Sequence, residues 1–159
     1  GADGGAAGRG RGRARRGIGV AWGEAVAMAA PWEAGQVLSV VEARMGELYA
    51  AAWRRGEAGR LHRRGREQVA AATALELPAA SDWAVIGTGW LADGEALQAR
   101  LGQPVVWAEG ERYPQAMAVA QLAAEIHRRG GATAPEQVQP VYLRDKVAET
   151  LAERAARTA

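Results

Sequence analysis

Residues 37–55 constrain this chain most, because two strand-like runs lie there with only four residues between them. VLSVVE, residues 37–42, is apolar and rich in β-branched residues, as a buried strand requires. ELYAAAWRR follows and alternates: Leu48, Ala50 and Ala52 on one face, Tyr49, Ala51 and Trp53 on the other. The ARMG between them must be a tight connection, with Gly46 placed where a β-carbon would clash. Glu42, Arg44 and Glu47 flank that turn. Near a strand end such a trio can do acid–base chemistry. It can equally be a pinned corner, in which the planar Arg44 fork meets a carboxylate at two points.

The rest of the chain supplies an alternating α/β pattern around that pair. Residues 18–30 are an Ala-rich helix ending near Pro31. RRGEAGR, residues 54–60, reads as a hairpin loop, with a return strand from Leu61, and residues 67–80 as a helical turn or two. Ala84-Val85-Ile86 is a short strand running into Gly87-Thr88-Gly89-Trp90, and Asp93 caps a helix through Leu101. Pro104 to Trp107 reads as a strand. Pro114 to Arg129 is the clearest helix, with Ala116, Val119, Leu122, Ala123 and Ile126 on one stripe and Gly130-Gly131 stopping it. After an extended PVYLR at 140–144, a second amphipathic helix starts at Asp145 and runs to the end. The order predicts an α/β layer on a mixed sheet.

Composition bounds the core and the chemistry. Of 159 residues, 38 are Ala, Phe is absent, and Val, Leu and Ile number 13, 11 and 3, enough for a modest core. Charge is uneven: residues 1–24 hold five Arg against Asp3 and Glu24, so the body is near neutral, which argues against a phosphate-binding groove there. Residues 1–17 are almost wholly Gly, Ala and Arg. They read either as an RG-type nucleic-acid arm or as a disordered or out-of-frame segment. With no Cys there is no disulfide, thiolate nucleophile or Cys-zinc site. No apolar run reaches the roughly 18–20 residues of a membrane span and none resembles a secretory leader, so a cytoplasmic protein is expected.

Catalytic signals are weak. His62 and His127 form no metal-binding pair, and neither Ser39 nor Ser81 sits in a nucleophile elbow. Gly87-Thr88-Gly89 lies where phosphate loops are built, but a strand-to-helix turn needing small residues explains it equally well. The expectation is no catalytic residue, no cofactor and no metal.

Three ordered segments carry a family resemblance. Ala43-Arg44-Met45-Gly46-Glu47-Leu48-Tyr49 after a strand, then Val85-Ile86-Gly87-Thr88-Gly89-Trp90, then Pro140-Val141-Tyr142-Leu143-Arg144 resemble, in order and spacing, the TsaB family, with Glu42 where the family usually has Asp. Ile18-Gly19-Val20-Ala21 is similar to the start of the helix that follows the family's Gly-rich stretch. The resemblance implies an RNase H-like lobe of the ASKHA (actin-like ATPase) superfamily. It further implies a non-catalytic scaffold and dimerisation subunit for threonylcarbamoyl-adenosine formation on tRNA. The implied partners are TsaD and TsaE, with tRNA met only through the complex. Residues 18–159 then correspond to the C-terminal lobe, and self-association is expected through the face that would pack on a first lobe. The competing reading is a nucleic-acid-binding module using the Arg/Gly arm. The residues implied as structural or partner contacts are Arg44, Met45, Gly46, Glu47, Tyr49, Gly87, Gly89, Trp90, Tyr142, Leu143 and Arg144.

Overall fold

The structure, a computed structural model, describes residues 16–143. The helix expected from Asp145, the Arg144 position and most of the 1–17 segment lie outside the described residues. Helix α1 (Trp22–Ala27) leads into strands β1 (Gln36–Ala43), β2 (Glu47–Arg55) and β3 (Leu61–Ala70). Strand β4 (Trp83–Ile86), helix α2 (Gly89–Leu101), strand β5 (Trp107–Glu109) and helix α3 (Ala116–Arg128) follow. The five strands form one sheet in the order β3-β2-β1-β4-β5. β2 is antiparallel to β1 and β3, whereas β1, β4 and β5 run parallel.

Both faces of β2 are buried, as its alternation requires. Leu48, Ala50 and Ala52 join Leu38, Val40, Trp83, Val85 and Leu97 beneath α2. Ala51 and Trp53 join Val26, Val37 and Ile86 beneath α1. Small residues let α1 lie flush on the sheet: a β-carbon on Gly23 would stand 3.1 Å from Ser39 Oγ and 3.4 Å from Ala51 Cβ. Ser39 is the one buried polar side chain recorded among the described residues. It accepts a 2.9 Å hydrogen bond from Trp53 Nε1 and donates to the Ala51 carbonyl at 3.3 Å. A hydroxyl so committed is a packing device, not a nucleophile.

Several boundaries differ from the sequence reading. β3 runs on to Ala70, so only a single 3-10 turn, Ala72–Ala74, remains of the helical stretch expected at 67–80. β5 begins at Trp107 instead of ending there, because its partner is the four-residue β4, whose Ala84 pairs with Trp107. Pro104 has no N–H to give a ladder, and Val106 is 58% exposed. Helix α2 starts at Gly89, four residues ahead of the expected Asp93 cap; Asp93 instead sits inside it at φ −135°, a kink. Gly87, at φ +116°, turns β4 directly into the helix. Pro114 precedes α3 by two residues. Of the apolar stripe on α3 only Leu122 is buried, and the main contact of α3 is with α1. No described helix is long and apolar enough to cross a membrane.

Candidate functional site

The carboxyl ends of β1 and β4 meet the start of β2, and this corner gathers the segments singled out above. The β1–β2 turn uses two consecutive left-handed residues, Met45 at φ 72° and Gly46 at φ 69°. A β-carbon on Gly46 would meet nothing within 4 Å, so the glycine is needed for its backbone angle and not to avoid a clash. Arg44 and Met45 are exposed and Glu47 half-buried.

The strand-to-helix turn docks against the same corner. The Glu42 N–H donates to Thr88 Oγ1 at 3.1 Å. Gly87 and Gly89 make the approach feasible. A β-carbon on Gly87 would stand 2.1 Å from the Val40 carbonyl oxygen, and one on Gly89 would stand 2.9 Å from Leu48 Cδ2. The Gly-Thr-Gly turn is thus spent on packing and on one hydrogen bond to β1. Trp90 packs partly buried against the core under α2.

Beside this corner lies an apolar groove of about 370 Å³, lined by Trp22, Val41, Tyr49, Pro114, Tyr142 and Leu143 among others. Tyr49 and Trp22 meet edge to face, centroids 6.1 Å apart. Tyr142 is 81% exposed. On the other side of Val41 a shallower cleft is formed with Glu42, Thr88, Leu91 and Tyr113. Leu91 and Tyr113 are both more than 60% exposed. Three residues picked from the sequence, Tyr49, Tyr142 and Leu143, therefore meet in one groove although 93 positions separate the first from the second. Trp22, Val41, Leu91, Tyr113 and Pro114 were missed. What marks them is sharing these clefts, and that is a property of the fold.

The groove has no carboxylate, histidine or cation in its lining, and no metal-binding group of three acidic or His side chains occurs among the described residues. Clustered exposed aromatic and aliphatic side chains of this kind are characteristic of surfaces that contact a protein, a membrane or a ligand. A second, charged cavity of about 340 Å³ lies between α1, α3 and the β2–β3 hairpin, where Glu24 faces Glu125 and Arg129. Burial, reinforced by Glu125, pushes the Glu24 carboxyl above the ordinary range.

A mixed five-stranded sheet in this order, with β2 alone antiparallel and helices on both faces, is the RNase H-like architecture of the ASKHA superfamily. No family model matches the chain. It is similar to the tRNA threonylcarbamoyladenosine biosynthesis protein TsaB of Escherichia coli (strain K12), being 33% identical over 119 residues. That match covers 71% of this chain and 49% of the relative, so the chain spans about half the length of the curated relative it matches. Among solved structures it is similar to YeaZ from Pseudomonas aeruginosa, with a TM-score of 0.69 and 29% identity over 81% of this chain and 59% of that one. An uncharacterized Pseudomonas aeruginosa protein with similarity to peptidase YeaZ gives a TM-score of 0.66 and 31% identity, over 79% and 57% of the two chains. These matches support assignment of the chain to the TsaB family.

Proposed function

We propose that this chain is a non-catalytic scaffold component of the machinery that forms threonylcarbamoyl-adenosine on tRNA. In this reading residues 18–159 correspond to the family's C-terminal lobe. The chain works in the cytoplasm with TsaD and TsaE, in a complex that acts on tRNA. It needs no cofactor of its own. The observation that carries the reading is the apolar groove, which gathers Tyr49, Tyr142 and Leu143 from two family-like segments and holds no catalytic side chain. Arg44, Met45 and Glu47 stand at the neighbouring turn, where a partner that covers the groove would reach them.

The test is association of the purified chain with TsaD and TsaE, with and without Tyr142→Asp. A carboxylate placed in a groove that becomes dry on binding should weaken association at least tenfold, given the cost of burying an unpaired charge. Melting should be unchanged, because Tyr142 is exposed. Undiminished association of the variant would overturn the docking role. Threonylcarbamoyl transfer by the chain alone, persisting through successive purification steps, would overturn the non-catalytic one.

A further inference from the structure

We propose that the β2–β3 hairpin is a binding site for the phosphate backbone of an RNA, built on one face by Arg54, His62 and Arg64, with the exposed Arg66 further along β3. Residues 54–66 contain six Arg and a single acid, Glu57, whereas the rest of the chain from residue 25 onward holds fifteen acids against nine Lys and Arg. A near-neutral body therefore hides a strongly basic hairpin.

The strand register sorts these cations. Arg54 lies directly opposite His62, and Arg64 opposite Ala52. Residues two apart on a strand share a face and stand about 7 Å apart, so Arg54, His62 and Arg64 form one cluster. Arg66 lies past a register shift in the β2–β3 pairing and donates to Glu76 at 3.1 Å, but both side chains are more than 70% exposed, so a phosphate can compete with that carboxylate. Arg64 donates only to the neutral Gln36, at 3.4 Å. Among the described residues neither Arg54 nor Arg64 is ion-paired with a carboxylate.

The remaining hairpin arginines are otherwise engaged. Arg55 donates to the Ala30, Ala34 and Gly59 carbonyls and lies over the Trp32 ring. Arg60 and Arg63 stand 3.8 Å from Glu125 and Glu67, respectively. Charge on an edge strand also discourages aggregation, but that purpose needs no concentration of one sign. No Trp or Tyr side chain stands among Arg54, His62 and Arg64, so charge is the main thing the cluster offers. Its ligand is a sequence-independent run of phosphates held by charge. The choice of RNA over DNA rests on the tRNA-modification reading above; the phosphate site itself rests on charge and register.

The experiment uses the full chain with fluorescent tRNA, a DNA duplex and poly-glutamate, titrated between about 50 and 200 mM salt. The variant carries Arg54→Gln, Arg64→Gln and Arg66→Gln. A second background replaces Arg9, Arg11, Arg13, Arg15 and Arg16 by Gln, which removes any contribution from the N-terminal segment. The hairpin variant should bind tRNA at least tenfold more weakly at low salt, in both backgrounds. The magnitude of its log–log salt slope should fall by about 2, since three phosphate contacts contribute about 0.7 each. The corresponding triple Arg→Lys variant should keep most of that slope, which separates charge from folding. Unchanged tRNA affinity in the Gln variant would overturn the proposal. So would tighter binding of the DNA duplex or of poly-glutamate than of tRNA. The docking groove proposed for TsaD shares no residue with this cluster, so TsaD association should be unaffected by the hairpin variant and the two proposals fail separately.

Discussion

The backbone N–H of Glu42, at the end of β1, donates to the hydroxyl of Thr88, at the start of α2, across 3.1 Å. Forty-six residues of chain separate the two, and this bond joins the hairpin turn to the strand-to-helix turn. Thr88→Val should remove it and lower stability by about 0.5–1.5 kcal/mol, while Thr88→Ser should retain most of it. Denaturant midpoints of the two variants decide the matter; equal losses would mean that the methyl group and not the hydroxyl matters.

The glycine beside Thr88 should be far less tolerant. Gly87→Ala would place a β-carbon 2.1 Å from the Val40 carbonyl oxygen, at a φ of +116° that L-residues rarely adopt. Both terms act together, so a loss of more than about 3 kcal/mol is expected. Gly46→Ala meets no atom and should cost only about 1 kcal/mol, from its φ of +69° alone. A comparison of the two midpoints tests the distinction between close approach and backbone angle.

The Ser39–Trp53 pair predicts a third outcome. Ser39→Ala leaves the Trp53 indole N–H buried without its 2.9 Å acceptor, which should cost about 1–3 kcal/mol. Any activity of the chain in a complex should survive at permissive temperature, because the hydroxyl faces the core. Loss of activity in a fully folded Ser39→Ala protein would contradict its assignment to packing.

Glu24 should make stability depend on pH. Its carboxyl holds a proton more tightly when folded than when unfolded, first because of burial and then because of the Glu125 charge, with Arg129 and Arg63 opposing. The folded state then binds more protons as pH rises past about 4.3. The stabilising contribution is complete below that value and is lost as pH rises through the raised folded value. Glu24→Gln should flatten this slope and raise the melting temperature at pH 7, by an amount worth less than about 1 kcal/mol for a half-exposed group. An unchanged pH profile would assign the slope to other carboxylates.

Much of the sheet was legible in the chain because its signals are local. Alternation in ELYAAAWRR named both buried faces of β2 correctly, since side chains of a strand must point to opposite sides. The β-branched run of β1 and the glycines around Thr88 likewise announced a buried strand and a tight turn. Periodicity on α3 was equally visible, yet of that stripe only Leu122 is buried: an apolar stripe shows which face could be covered, not whether anything covers it.

Position in space was decided only by the tertiary structure. That Tyr49 and Tyr142 share a groove depends on β1 lying between β2 and β4, a crossover no local pattern encodes. The start of β5 at Trp107 was chosen by the short β4 it pairs with, not by its own Pro-Val-Val run. Net charge concealed the basic hairpin, because a sum over the chain discards location, and the register of β2 against β3 restored it. Local chemistry determines which element a segment forms; long-range pairing determines which residues become neighbours, and binding surfaces are made of neighbours.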